Sequence, residues 1–265
     1  MPNASDYVDT PIKFLFKGPN QSGKSVAAGS VVDPEKKKKT LYLDIDERFR
    51  SIAHYFSKRF PEVLDSIVFE QYKQSEFEKL RLRIEGLAES DKYYCVVVDS
   101  LISLASILTK YMINLAGKPG EKEGGVIRRG VITTPGLPEF LGESQGLDDT
   151  MAILKSLRCH AILIAHVTTV EITDISGKVI GQKQILLTGG KKIAARIPTF
   201  FDEVYHFESE ANIDPSKDPD YIFYTKPIGG NFAGTTFGLP SKIKFTNGNF
   251  WTGFRKKAEE NGYII

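Results

Sequence analysis

Apolar residues along the first part of the chain fall into short runs, separated by longer segments with helical spacing. Residues 12–16, 40–44, 66–69, 93–99 and 161–165 are the runs. Tyr-Tyr-Cys-Val-Val-Val-Asp at 93–99 and Ala-Ile-Leu-Ile-Ala at 161–165 are continuous and not alternating. That is the pattern of strands covered on both faces, as in a parallel sheet. Between the runs, residues 26–32, 47–59, 75–88, 101–115 and 143–158 predict helices. Phe49, Ile52, Ala53 and Phe56 share one face of the second, and Phe77, Leu80 and Ile84 one face of the third. Strands alternating with helices specify an α/β fold with a mostly parallel sheet flanked by helices. Ligands of such sheets bind at the carboxyl ends of the strands.

The period changes from residue 169. Residues 169–188 predict a β-hairpin or ribbon insertion, and residues 189–192 lead into a short helix stopped by Pro198. Residues 202–208 and 221–226 read as two further strands, with a last short one at 243–245. Residues 117–142, rich in glycine with three prolines, predict a long loop of the kind that serves function. The expected organisation is a polar leader at 1–11, a core at 12–246 and a tail at 247–265. In the tail, Phe250, Trp251 and Phe254 adjoin Arg255, Lys256 and Lys257, which reads as a packed element with a basic edge.

The 265 residues suit one large α/β domain. A net charge of +2 advertises no global attraction to nucleic acid, so any such surface is local, and the lysine run at 36–39 reads as a solvated connection. Cys95 and Cys159 adjoin strand-like runs and read as buried free thiols in a reducing compartment. Four scattered histidines give no zinc-ligand spacing. Neither a membrane-length apolar run nor a signal-peptide pattern occurs, so a cytoplasmic protein without membrane partners is expected.

The chemistry gathers around Gly18-Pro19-Asn20-Gln21-Ser22-Gly23-Lys24-Ser25, which follows the first strand and opens the first helix at Val26. It matches G-x-x-x-x-G-K-[ST], the phosphate-binding P-loop. Glycines let the backbone curl so that N–H groups face a β-phosphate. Lys24 reaches the β- and γ-oxygens, and Ser25 places its hydroxyl on Mg²⁺. Nucleoside triphosphate binding follows. Asp99, ending the run at 93–99, is placed to hold Mg²⁺ with Ser25. The cluster Asp44, Asp46, Glu47 ends the second strand, where Asp46 or Glu47 polarises water. His166 ends the run at 161–165, where it can contact a γ-phosphate.

This order of P-loop, Asp-x-Asp-Glu, Val-Val-Val-Asp-Ser, Ile-Ala-His and Thr-Gly-Gly resembles the RecA-like ATPase core over residues 12–245. It looks closest to phage nucleotide-binding proteins made of that core, some of which anneal single strands. The resemblance implies a RecA-like P-loop fold with antiparallel C-terminal strands, ATP and Mg²⁺ as ligands, and ATP hydrolysis. It implies Asp46 at the water-activating position, where the family usually has glutamate. It also implies a homo-oligomer, ring or filament, in which Lys226 reaches the neighbouring subunit's nucleotide. Residues 117–142 and 168–190 would then be DNA-contacting loops, with Arg128, Arg129, Lys178 and Lys183 on single-stranded DNA, in phage recombination or annealing in the host cytoplasm. A single-strand-binding or replication protein is an implied partner. Two rival readings share the core: a hexameric helicase or packaging motor, and an ATP-switched assembly protein with negligible turnover.

Overall fold

The computed structural model describes residues 10–115, 127–129, 132–134, 137–188, 191–211, 219–245 and 249–263. Its elements begin with β1 (Lys13–Gly18), α1 (Lys24–Gly29), β2 (Lys39–Asp44), α2 (Phe49–Arg59), α3 (Pro61–Leu64), β3 (Ile67–Gln71) and α4 (Phe77–Glu85). There follow β4 (Tyr93–Asp99), α5 (Leu101–Leu115), β5 (Ile127–Arg129), β6 (Ile132–Thr134) and α6 (Leu137–Ser156). The chain continues through β7 (His160–Thr173), β8 (Val179–Leu186), α7 (Lys191–Arg196) and a 3₁₀ turn at Ile197–Phe200. It closes with β9 (Glu203–Glu210), β10 (Asp220–Tyr224), β11 (Lys242–Phe245) and α8 (Phe250–Glu260).

The sheet order is β11-β10-β9-β1-β7-β4-β2-β3. From β9 to β3 the neighbours are parallel, while β10 and β11 extend one edge antiparallel. The strands alternate their side chains between two cores. Leu15, Leu43, Val96, Val98 and Leu163 face α4, α5 and α6. Phe14, Phe16, Tyr42, Val97 and Ile162 face α1, α2 and α8. Both faces are covered, which is why the strands read as continuous apolar runs. Cys95 and Cys159 are buried and free, one in each core. No helix of the described residues is long and apolar enough to cross a membrane.

The expected ribbon is the outer half of β7 paired antiparallel with β8, beyond the level at which β7 leaves β1. Its turn is closed by Asp174, whose Oδ1 accepts from Ser176 N (2.8 Å) and Lys178 N (3.0 Å). The tail segment at 250–254 packs its rings into the core: Phe254 lies 5.5 Å from Phe14, edge on, and 5.4 Å from Trp251, stacked. On the same face, buried Glu203 accepts from Thr236 N (2.6 Å) and Tyr205 OH (2.5 Å), tying the segment after β10 onto β9.

The structure departs from expectation at residues 117–142. β5 and β6 form a short hairpin there, and α6 starts at Leu137, six residues before the predicted helix. Gly142 and Gly146 are the cause of both the misreading and the packing. A Cβ on Gly146 would lie 2.5 Å from a Leu108 methyl, and one on Gly142 would lie 2.3 Å from the Met112 methyl. The glycines therefore let α6 close on α5, and Pro138 falls in the first helical turn, where its missing N–H costs nothing.

Candidate functional site

Parallel register puts four chemical positions at the carboxyl ends of the strands: Gly18 opposite His166, Asp44 opposite Asp99, and Asp99 opposite Ile164. The P-loop leaves β1 at this end. Gly18 tolerates no side chain, since a Cβ would lie 2.2 Å from the Phe207 carbonyl oxygen. Gly23 has φ 85, and its Cβ would meet the Tyr221 ring at 2.7 Å. Curled this way, the loop turns its lysine inward. Lys24 Nζ donates to Gly18 O (3.0 Å), Pro19 O (2.5 Å) and Ser22 Oγ (3.0 Å). Burial lowers its pKa to about 8, against the opposing pull of Asp99, so the amine stays charged at neutral pH.

Ser25 Oγ donates to Asp99 Oδ2 at 2.8 Å, and Tyr42 OH donates to the same oxygen at 2.5 Å. Burial raises the Asp99 pKa to about 6, with the bond from Tyr42 working against it. A serine hydroxyl beside a carboxylate is a hard-oxygen donor set that fits Mg²⁺. Val26 follows Ser25 in α1 and lines the same cleft.

Two cavities flank the loop. One, of about 700 Å³, is walled by Pro19, Asn20, Asp46, Glu47, Arg48 and His166. The other, of about 660 Å³, runs along Gln21–Val26 to Asp99 and Tyr221, and again includes Arg48 and His166. Asp46 accepts hydrogen bonds from Ser100 Oγ (2.9 Å) and from Ser103 Oγ. Glu47 occupies the turn after it with φ 56. His166 is half-buried; burial first, then the charge of Lys24, lowers its pKa, so it is neutral at pH 7. Its Nδ1 has no hydrogen-bond partner among the described residues.

Asp46 and Glu47 thus line the first cavity, Lys24, Ser25 and Asp99 the second, and His166 borders both. Lys226 lines neither: this lysine follows β10 and is exposed. Lys178 lies in the ribbon turn and Lys183 on β8, while Arg128 and Arg129 fall on β5, where the side chains lie outside the described residues. Sequence reading missed Tyr42, which looks like one more apolar strand residue, and Tyr221, whose ring backs the loop from β10. It also missed Arg48, which looks like the start of a helix's solvent face. The only signal for Arg48 was its place two residues after Asp46.

A parallel sheet of this order, with a P-loop after its central strand β1 and carboxylates at the ends of β4 and β2, defines a RecA-like P-loop fold. The chain belongs to the AAA domain family, whose profile matches residues 10–237. Among solved structures it is similar to the RadB recombinase, with a TM-score of 0.50 and 15% identity over 91% of this chain and 90% of that one. It is also similar to the flagellar accessory protein FlaH from Methanocaldococcus jannaschii, with a TM-score of 0.45 and 10% identity over 91% and 89%. No curated protein sequence matches the chain. At these identities the likeness is one of fold.

Proposed function

We propose that this protein is a Mg²⁺-dependent ATPase that acts on DNA as a homo-oligomer, on single strands in phage recombination or annealing. The observation that carries the nucleotide reading is the cleft itself. A buried, charged Lys24 and the Ser25–Asp99 pair stand beside a cavity walled by Asp46, Glu47 and His166. Lys24 neutralises the γ-phosphate, and Ser25 and Asp99 would hold Mg²⁺, which would supply positive charge against the phosphates. Asp46 or Glu47 orients the attacking water and takes its proton. His166, with Nδ1 unpartnered among the described residues, can bond a γ-phosphate oxygen. Lys226 serves the nucleotide of a neighbouring copy.

The DNA role rests on the sequence resemblance and on a fold shared with a recombinase. ATP hydrolysis measured with and without single-stranded DNA, alongside mass by light scattering, tests it. Stimulation by DNA together with a DNA-dependent oligomer is expected, and indifference to DNA would remove that part of the reading. For the site, Lys24→Ala should abolish thermal stabilisation by ATP and Mg²⁺. A variant stabilised like the parent would refute the assignment.

One observation favours a second reading, an ATP-switched assembly protein with slow turnover. Asp46 is already engaged by two serine hydroxyls, which compete with water for its lone pairs. Tight ATP binding and ATP-dependent oligomerisation with negligible hydrolysis would select it.

A further inference from the structure

The turn between β2 and α2 delivers a cation to the cleft. Glu47 adopts a left-handed backbone, and Asp44 accepts from the N–H groups of Arg48 (3.2 Å) and Phe49 (2.8 Å). Those bonds fix the Arg48 backbone at the entrance to α2. Its side chain is 63% exposed, with Nε 4.0 Å from Asp46 Oδ2. It walls both cavities, alongside Pro19 and Asn20 on one side of the P-loop and Gln21 to Ser25 on the other. Among the described residues, Arg48 and His166 are the two that border both.

On the reading of this cleft as an ATP-hydrolysing centre, we propose that Arg48 is a catalytic residue acting within its own chain, its guanidinium bonding the γ-phosphate oxygens and neutralising charge in the transition state. The bond-making is that of hydrolysis: water oxygen bonds to the γ-phosphorus as the bond to the β–γ bridging oxygen breaks. The electron pair leaves with ADP, and the water proton passes to Asp46 or Glu47.

Three physical points support this role. The pair is long, at 4.0 Å, and its arginine is 63% exposed while Asp46 keeps its bonds from Ser100 and Ser103, so the guanidinium is only weakly tethered when a polyphosphate enters. The planar guanidinium can bond two phosphate oxygens at once, whereas Lys24 offers a single point charge to the same group. The charged and titratable neighbours that sense Arg48 are Lys24, Asp46 and His166, the groups arranged around the γ-phosphate position. An arginine supplied to a transferring phosphoryl group is worth about 10³–10⁵ in turnover in P-loop enzymes.

The test compares Arg48→Ala and Arg48→Lys with the parent in single-turnover ATP hydrolysis. It also measures affinities for ATPγS and for ADP with aluminium fluoride, in the presence of Mg²⁺. Arg48 is exposed enough that both variants should fold, which a thermal melt checks. Turnover of Arg48→Ala should fall by roughly a thousandfold while ATPγS affinity changes by about threefold or less. Affinity for the fluoride complex should fall far more than that for ATPγS, and Arg48→Lys should recover only a small part. Unchanged turnover, or equal weakening of both ligands, would overturn the catalytic role. Mixing Arg48→Ala with Lys24→Ala should restore nothing, because every cleft lacks one group or the other; recovery would overturn action in cis. A parent with no turnover, or a Lys24→Ala protein that still binds ATP like the parent, would bring down the hydrolytic reading itself and this proposal with it. A normal parent beside an unaffected Arg48→Ala would bring down this proposal alone.

Discussion

Lys17 sits one residue before the phosphate loop, with its amine fully buried on the sheet face opposite α1. Nζ lies 3.3 Å from His206 Nδ1 and 4.0 Å over the Phe232 ring, and His206 Nε2 meets Glu208 Oε1 at 3.0 Å. Burial lowers the Lys17 pKa to about 7, with Glu208 pulling the other way. The sign follows from the unfolded value of 10.5. Below pH 7 both states carry the proton and the folded state bears the full cost of a buried cation. Between pH 7 and 10.5 only the unfolded state keeps it, so stability from this group rises with pH across that window. Lys17→Met, similar in length and without charge, should stabilise the fold by about 1–4 kcal/mol at pH 6. The gain should shrink towards pH 9. Urea midpoints at both pH values check this, and a gain independent of pH would show that the amine does not titrate in the folded chain.

Among the elements, α6 shows most clearly what pattern reading can and cannot recover. Gly146 faces Leu108 on α5, which is 2% exposed and whose methyl must shift to admit a Cβ. In a solvent-facing helix Gly→Ala would gain up to about 1 kcal/mol of propensity. Here overpacking opposes that gain at a cost of about 1–3 kcal/mol, so Gly146→Ala should be net destabilising. Adding Leu108→Ala should make the pair non-additive in a double-mutant cycle, because the smaller side chain makes room for the new methyl. Strict additivity would mean that the helices do not touch at this point. Pro138, Gly142 and Gly146 are punctuation to a local reading, and only the tertiary approach of α5 makes a helix of them. By contrast β1, β2, β4 and β7 were legible, because burial on both faces writes unbroken apolar runs ending in polar residues. The P-loop was legible for the same local reason, its chemistry lying in eight consecutive residues. Tyr42 and Arg48 were not. Their surroundings come from β4, α1 and β7, and no spacing within β2 or α2 encodes who the neighbours will be.

At the scale of the whole molecule, the cleft lies at the carboxyl ends of the central strands while Lys226 stands exposed beyond β10. If Lys226 serves a neighbour's nucleotide, the contact between copies is head-to-tail and closes as a ring or propagates as a filament. Lys226→Ala and Asp99→Asn should each then be inactive, one failing as donor and the other as acceptor. Mixed, they form some junctions with both groups intact, and ATPase activity should return in proportion to those junctions. A Lys226→Ala protein with parental turnover would sink the role in trans. The long strand β7 adds a mechanical consequence. It runs without interruption from the middle of the sheet, past His166, into the ribbon, and Leu187 N bonds back to His166 O at 2.8 Å. The seven residues beyond His166 span roughly 20 Å at strand pitch. Ribbon and histidine therefore share one continuous backbone across the point where the sheet ends. A pull on the exposed Ile175 tip would thus be carried along that backbone towards the histidine that borders both cavities.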